Sequence, residues 1–191
     1  MATQSERKAA TRTAILDAAE KRFRKNGFDG TAVEEITAAA NVAKGTFYQH
    51  FETKAEILLA LIRRHESATV AEVERRLAEG FPPLALAQGL LRAMTHGFEK
   101  DRKMAPQAIS VALAHPAKTG EPSMRMAFAR AFAAAQQRGE IRDDVDASEL
   151  ALTLVGAMLP HIILWARKGK RGALLPAMER VWKVFLEGLA R

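Results

Sequence analysis

Residues 31–51 read TAVEEITAAANVAKGTFYQHF, and the fold turns on that stretch. Val33, Ile36 and Ala40 recur at helical spacing, and Thr31 with Glu34 has the form of a capping box opening that helix. Ala40-Asn41-Val42-Ala43 then interrupts the pattern. A sharp turn between two helices needs one left-handed residue, and Asn tolerates that backbone better than any residue except Gly. Val42 is placed to pin the corner against both helices. A second, short helix opens at Lys44-Gly45-Thr46 and carries Phe47 and Phe51, four apart, on an inward face. Tyr48, Gln49 and His50 point elsewhere. This is a helix–turn–helix pattern. Lys44, Gly45 and Thr46 offer little bulk beside the unpaired amides of a helix start, which suits phosphate contact. So short a helix fits a DNA major groove end-on.

Outward from this stretch the chain reads as helix after helix, with no convincing period-2 alternation. Upstream, Ile15, Leu16, Ala19 and Phe23 form one helical face, stopped by Asn26-Gly27. Downstream, Thr53 and Glu56 have the form of a second capping box. They open a long helix to about Glu79, with Ile57, Leu58, Leu61 and Ile62 inward and the charged segment from Glu72 to Glu79 solvated. Gly80-Phe81-Pro82-Pro83 punctuates the chain. Leu84, Ala87, Leu91, Met94 and Phe98 follow on one stripe, and Pro106 and Pro122 suit first-turn positions of two further helices. The latter carries Met124, Phe128, Ala131, Phe132 and Ala135 and ends at Arg138-Gly139. Asp146 with Glu149 caps a helix reaching about Arg167, with a kink expected at Pro160, and a last helix spans about Ala173 to Leu189. The expectation is an all-α chain of about nine helices. An N-terminal three-helix domain with a basic arm is expected over 1–53 and a second helical domain over 54–191.

Composition narrows the function. The chain has 191 residues, 48% of them hydrophobic and 27% charged, which describes a globular protein and not a disordered one. No stretch approaches 18 uncharged apolar residues, so no membrane span and no membrane partner are expected. The polar N-terminus lacks the apolar core of an export signal. With no cysteine, disulfides, thiolate metal sites and cysteine nucleophiles are excluded, and a cytoplasmic location is expected. The five histidines lack metal-ligand spacing, so neither metal nor cofactor is expected. A net charge of +7 favours acidic partners, nucleic acid first. The surplus is spread along the chain, although Arg7, Lys8, Arg12, Lys21, Arg22, Arg24 and Lys25 crowd the first 25 residues. Trp165 through Arg171 reads as a basic, solvated loop.

Ala43-Lys44-Gly45-Thr46-Phe47-Tyr48-Gln49-His50-Phe51, followed by Lys54-Ala55-Glu56-Ile57-Leu58, resembles the tetracycline-repressor (TetR/AcrR) family of bacterial regulators. Ile15-Leu16-Asp17-Ala18-Ala19, Phe23, Asn26-Gly27-Phe28 and Thr31-Ala32-Val33-Glu34-Glu35-Ile36 match the same family pattern. The resemblance covers residues 8–60 or so; beyond them it rests on helicity and on the turn Gly139-Glu140-Ile141-Arg142. Three positions depart from it. Asn41 replaces a frequent Gly, Ala43 a capping Ser and Ala32 a frequent Thr. Loss of the Ser cap costs about 1 kcal/mol of helix stability. The resemblance implies phosphate contacts from Thr31, Thr46, Tyr48, His50 and Lys54, with Lys44, Gly45 and Gln49 as base readers. Lys suits guanine acceptors and Gln suits adenine. Arg7, Lys8 and Arg12 either add contacts from a basic arm or form a solvated tail.

The resemblance also implies a homodimer on palindromic duplex operator DNA, released by a small-molecule effector. The helix from Ser148 to Arg167 has two apolar faces, Leu150/Leu154/Met158/His161/Ile162/Trp165 and Leu152/Val155/Leu159/Ile163. One serves the core of the monomer. The other, with Met178, Val181, Trp182 and Phe185 of the last helix, is expected in a symmetric dimer interface. Candidate ligand contacts are Leu61, His65, Met94, Phe98, Phe128, Phe132, His161 and Trp165, with Ile62, Leu91 and Ile109 beside them; such a lining favours an apolar or aromatic compound. A long helix over 54–79 is the natural lever between ligand and DNA. An activator or ligand-independent regulator of the same fold is the alternative. An all-helical enzyme is remote: there is no nucleophile–base pattern, no Gly-rich phosphate loop and no paired carboxylates in an apolar setting.

Overall fold

The computed structural model describes residues 3–118, 120–167 and 172–189. Among them are nine α-helices and no strand: α1 (Gln4–Asn26), α2 (Val33–Ala40), α3 (Lys44–Tyr48), α4 (Lys54–Ala78), α5 (Pro83–Lys100), α6 (Ala105–Ala114), α7 (Met124–Gln137), α8 (Ala147–Arg167) and α9 (Leu175–Glu187), with a 3-10 turn at Arg102–Met104. The chain forms two compact units. One holds residues 1–62 and 106–116; the other holds 63–105 and 117–191. Compactness therefore divides the chain inside α4, not at its start at residue 54, and groups most of α6 with the N-terminal helices.

The first unit is built on α1. Ile15, Leu16, Ala18, Ala19 and Phe23 are buried along one side of it; Ile36 of α2, Phe47 of α3, Phe51 between α3 and α4, and Ile57 and Leu58 of α4 are buried too, with α1 packed on α2 and α2 on α3. Sealing off these side chains is the main favourable term for so small a unit. Asn41 takes the left-handed conformation required between α2 and α3, at φ 53° and ψ 47°. The caps differ in detail from their expected positions. Thr31 is buried and donates its hydroxyl to Gly27 O at 2.7 Å, so it closes the preceding loop. Ala32 is the N-cap of α2 and Glu35, not Glu34, reaches back to its amide at 3.0 Å. At α4, Thr53 accepts from the Glu56 amide as expected, while the Glu56 carboxylate accepts from Glu52 instead of Thr53.

In the second unit, α7 is central and packs against α5 and α8, and α9 packs against α5 and α8. Phe128 and Phe132 stack, and Phe132 continues onto Trp182 and Phe185. Leu150, Leu154, Met158 and Ile162 form the buried stripe of α8. Val70 and Val73 are buried against Ala127 with Leu77 beside them, so the back half of α4 is not simply solvated: its charges alternate with a second apolar stripe. Pro122 precedes the N-cap Ser123 and lies outside α7, whereas Pro106 does sit in the first turn of α6. Asp146 caps α8 by accepting from the Ser148 amide.

The expectation that no stretch approaches the length of a membrane span is corrected by α8, although one such helix is weak evidence of a span, since the core helix of a soluble protein meets the same test. α8 is long and apolar enough, by length and composition, to cross a membrane. Its apolar run is continuous because both faces are apolar: one fills the core of the unit, and Leu152 on the other stands exposed. Lys168 to Arg171, the rest of the expected basic loop, lie outside the described residues.

The turn at Asn41 gives a direct test of the fold. Asn41→Gly should leave stability within about 0.5 kcal/mol, because Gly adopts this backbone freely. Asn41→Val should cost at least about 1–2 kcal/mol, the steric penalty of a side chain in left-handed backbone. Urea unfolding of the two variants separates them.

Candidate nucleic-acid interface

α3 has only 5 residues, too few to hold itself or to sum a macrodipole of its own. What positions it is Phe47, whose ring is fully buried beneath it, with Phe51 at 6.3 Å between centroids. Ala43, its N-cap, gives no side-chain hydrogen bond, as the substitution for Ser implies. With Phe47 directed inward, the remaining positions face out. Lys44, Gly45, Tyr48 and Gln49 are exposed, and Thr46 and His50 are half-buried. Tyr48 stands 49% exposed with its ring edge-on to Phe47 at 5.3 Å, so an aromatic group is held rigidly at the surface. A Cβ added at Gly45 would meet nothing within 4 Å. No packing constraint of the fold requires glycine there.

Two expected phosphate ligands have other duties. Thr31 is buried with its hydroxyl committed to Gly27, which removes it from any DNA-contacting surface. Lys54 donates to Phe28 O at 2.9 Å and Thr31 O at 2.8 Å, with its ammonium 4.8 Å from the centre of the Phe28 ring. Of its three donors, one is left for a phosphate. Lys54 is therefore first a clamp on the loop that leads into α2.

The N-terminal arm is a helix. Thr3 accepts from the Glu6 amide and Glu6 accepts from the Thr3 amide, a capping box that starts α1 at Gln4. The signal, Thr3 followed three residues later by Glu6, stands in the sequence. Arg7, Lys8 and Arg12 thus ride on ordered helix. The Arg12 guanidinium lies over the Phe51 ring at 4.7 Å. His50 is held below the usual imidazole pKa by burial first and then by the charges of Lys8 and Arg12. A phosphate that approached His50 would meet Lys8 and Arg12 as well. Sequence reasoning missed one contact altogether: Lys44 Nζ lies 2.6 Å from Glu34 Oε1 of α2, and both side chains are exposed.

The residues expected at a ligand pocket are not one set. Phe128 and Phe132 are fully buried in an aromatic stack and present no face to a ligand. His65 and His161 are exposed, each on the solvent side of its helix, which removes them from an apolar lining. Leu61, Met94, Phe98 and Trp165 are half-buried. Trp165 is covered by Arg102, whose guanidinium lies 4.0 Å from its ring centre and donates to the Trp165 carbonyl. Of the expected dimer residues, Met178 and Trp182 are buried in the core of their own unit, because they sit on the inward side of α9. Leu152 is 60% exposed, and Val155, Leu159, Ile163, Val181 and Phe185 are half-buried. Leu164 at 55% and Val184 at 69% are exposed apolar neighbours that the sequence reading did not single out.

Comparison with known proteins completes the picture. Residues 15–61 match the family described as bacterial regulatory proteins, tetR family, and residues 82–191 match the transcriptional regulator SbtR-like C-terminal domain. The chain belongs to the TetR family of transcriptional regulators. Among its relatives in this family, the transcriptional regulator UidR of Escherichia coli (strain K12) is 27% identical over 160 residues, covering 80% of this chain and 81% of its own. The A-factor receptor protein of Streptomyces griseus is 28% identical over an alignment spanning 100% of this chain and 67% of its own. The TetR-family repressor FadR of Thermus thermophilus, solved in complex with lauroyl-CoA, superposes with a TM-score of 0.74 at 25% identity, covering 94% of this chain and 96% of its own.

Two measurements test this geometry. Lys54→Met keeps the alkyl stem and strands the Phe28 and Thr31 carbonyls, and should lower stability by about 1–3 kcal/mol in urea unfolding. His50, with its pKa lowered in the fold, is protonated later than in the unfolded chain. The unfolded state then binds more protons as pH falls through 6.5, and stability falls with it. His50→Gln should therefore lose less Tm than the wild type between about pH 7.5 and about pH 5.5.

Proposed function

We propose that this regulator is a homodimeric repressor that holds a palindromic duplex operator and is released from it by a small apolar or aromatic molecule. The observation that carries the DNA reading is the surface of α3: Lys44, Gly45, Tyr48 and Gln49 project from a helix whose position is fixed by the buried Phe47. Lys44 and Gln49 have hydrogen-bonding groups that match guanine and adenine edges. Tyr48, Thr46, His50 and the remaining donor of Lys54 fall to the phosphates, joined by Lys8 and Arg12. Gly45 fits the same reading. Its missing side chain serves no packing need, yet glycine inside a helix costs about 0.5–1 kcal/mol relative to alanine. Close approach of the backbone to DNA is a reason to keep it.

The dimer reading rests on α8 and α9. Leu152, Leu164 and Val184 are large apolar side chains in solvent, with the half-buried Val155, Leu159, Ile163, Val181 and Phe185. Exposed Gly156 and Ala157 on α8 would let a second copy approach closely. Two reading heads related by a two-fold axis call for two half-sites about one helical turn apart, or a multiple of that. Met94, Phe98 and Trp165 of the second unit remain the candidate contacts for the effector, and α4, a single helix from Lys54 to Ala78, remains the candidate lever. Release requires the effector to bind the DNA-incompetent state more tightly than the competent one; otherwise it shifts nothing.

Selection of binding sites from random duplex DNA tests the central part. An enriched palindrome is expected, with Lys44→Ala and Gln49→Ala each blurring defined positions in it. Binding without enrichment that disappears at modest salt would leave phosphate attraction alone and overturn the reading. Two variants sharpen it. Gly45→Ala should raise unfolding stability by about 0.5–1 kcal/mol while weakening operator binding. The double change Leu152→Glu and Val184→Glu should yield folded monomers by sedimentation.

A further inference from the structure

The contact between Lys44 and Glu34 has no structural purpose that stability can supply. Both side chains are more than half exposed, at 58% and 63%. Pairs so exposed contribute little to stability. The neighbouring Glu35 is fully used by the fold: it accepts from the Ala32 amide and from Asn26 Nδ2. Among the described residues, the side chain that meets the Glu34 carboxylate is Lys44. On a face that must meet a polyanion, an unneeded carboxylate also weakens binding, since each negative charge there opposes the phosphates. Its position is what distinguishes it. One carboxylate oxygen holds the ammonium of a base-reading lysine at 2.6 Å, which raises the lysine pKa and lowers its own, and an ionised carboxylate has further lone pairs with which to accept.

The edge that this pair would fit follows from base chemistry. In the major groove a G·C pair presents the guanine N7 and O6 acceptors next to the cytosine N4 donor. An ammonium beside a carboxylate presents donors next to an acceptor. An A·T pair offers only N7 as acceptor on its purine, then a donor, then O4 and a methyl group. The second bond from the ammonium is lost there. Resting on the DNA-reading assignment above, we propose that Glu34 is a specificity-determining residue. It accepts from the cytosine of the base pair whose guanine Lys44 contacts, and its charge holds down binding through phosphates alone.

The test uses the full chain and the duplex that it selects from random DNA. Wild type, Glu34→Gln, Lys44→Ala and the double variant are titrated by fluorescence anisotropy. The probes are that duplex, the duplex with the Lys44-dependent G·C pair changed to A·T, and an unrelated duplex, each over a salt series. Glu34→Gln should bind the unrelated duplex several-fold more tightly. It should lose about tenfold of the discrimination between G·C and A·T. The double variant should lose little more discrimination than Lys44→Ala alone, because the two side chains act as one reader. Thermal unfolding of Glu34→Gln should match the wild type. Discrimination kept within about twofold in Glu34→Gln, or losses that add in the double variant, would overturn the proposal while leaving the DNA reading intact. Failure of the wild type to select any duplex would instead sink the DNA reading, and this inference with it.

Discussion

A helix of five residues has no stability of its own, since nucleation costs more than so few hydrogen bonds return. The proposed base readers Lys44 and Gln49 stand on such a helix and at its C-cap. The interaction that makes it possible is the burial of Phe47, a ring with no exposed surface, beside Phe51. That one contact converts a marginal segment into a fixed platform for Lys44, Tyr48 and Gln49. The turn at Asn41 sets the angle of entry, and Lys54 ties down the loop on the other side of α2. The division of labour is clear: apolar and loop-clamping groups hold the geometry, and the exposed side chains are left free for recognition.

The C-terminal unit solves a different problem with the same materials. A helix apolar on one face disappears into a core; α8 is apolar on two. Its inner stripe packs beside the aromatic series Phe128, Phe132, Trp182 and Phe185. On its outer stripe Leu152 stands 60% exposed, a costly position for a large apolar side chain in water. Association of two copies is the simplest use of that surface.

Much of this was legible in order along the chain. The helices, the left-handed Asn41, the inward pair Phe47 and Phe51 and the outward set between them all follow from local rules of spacing and backbone preference. What escaped depends on which neighbour a side chain meets. Thr31 and Glu34 have the spacing of a capping box, but Gly27 offers its carbonyl to Thr31 first and the cap moves on by one residue. Met178 and Trp182 share a helix with exposed Val184, and periodicity alone cannot say which of two apolar stripes turns inward. Val73 lies in a run dense with charge, and only the packing of Ala127 against it shows that it is core. The Lys44–Glu34 contact joins residues of two helices and has no local signature.

The account stands or falls on two identical heads reading one duplex at a fixed separation. The most direct measurement is the affinity for a selected palindrome before and after inserting half a helical turn, about five base pairs, between its half-sites. The account predicts a collapse to the level of non-specific binding, because the second head is swung to the opposite face of the DNA. Unchanged affinity after the half-turn insertion would contradict it, showing that each head binds alone.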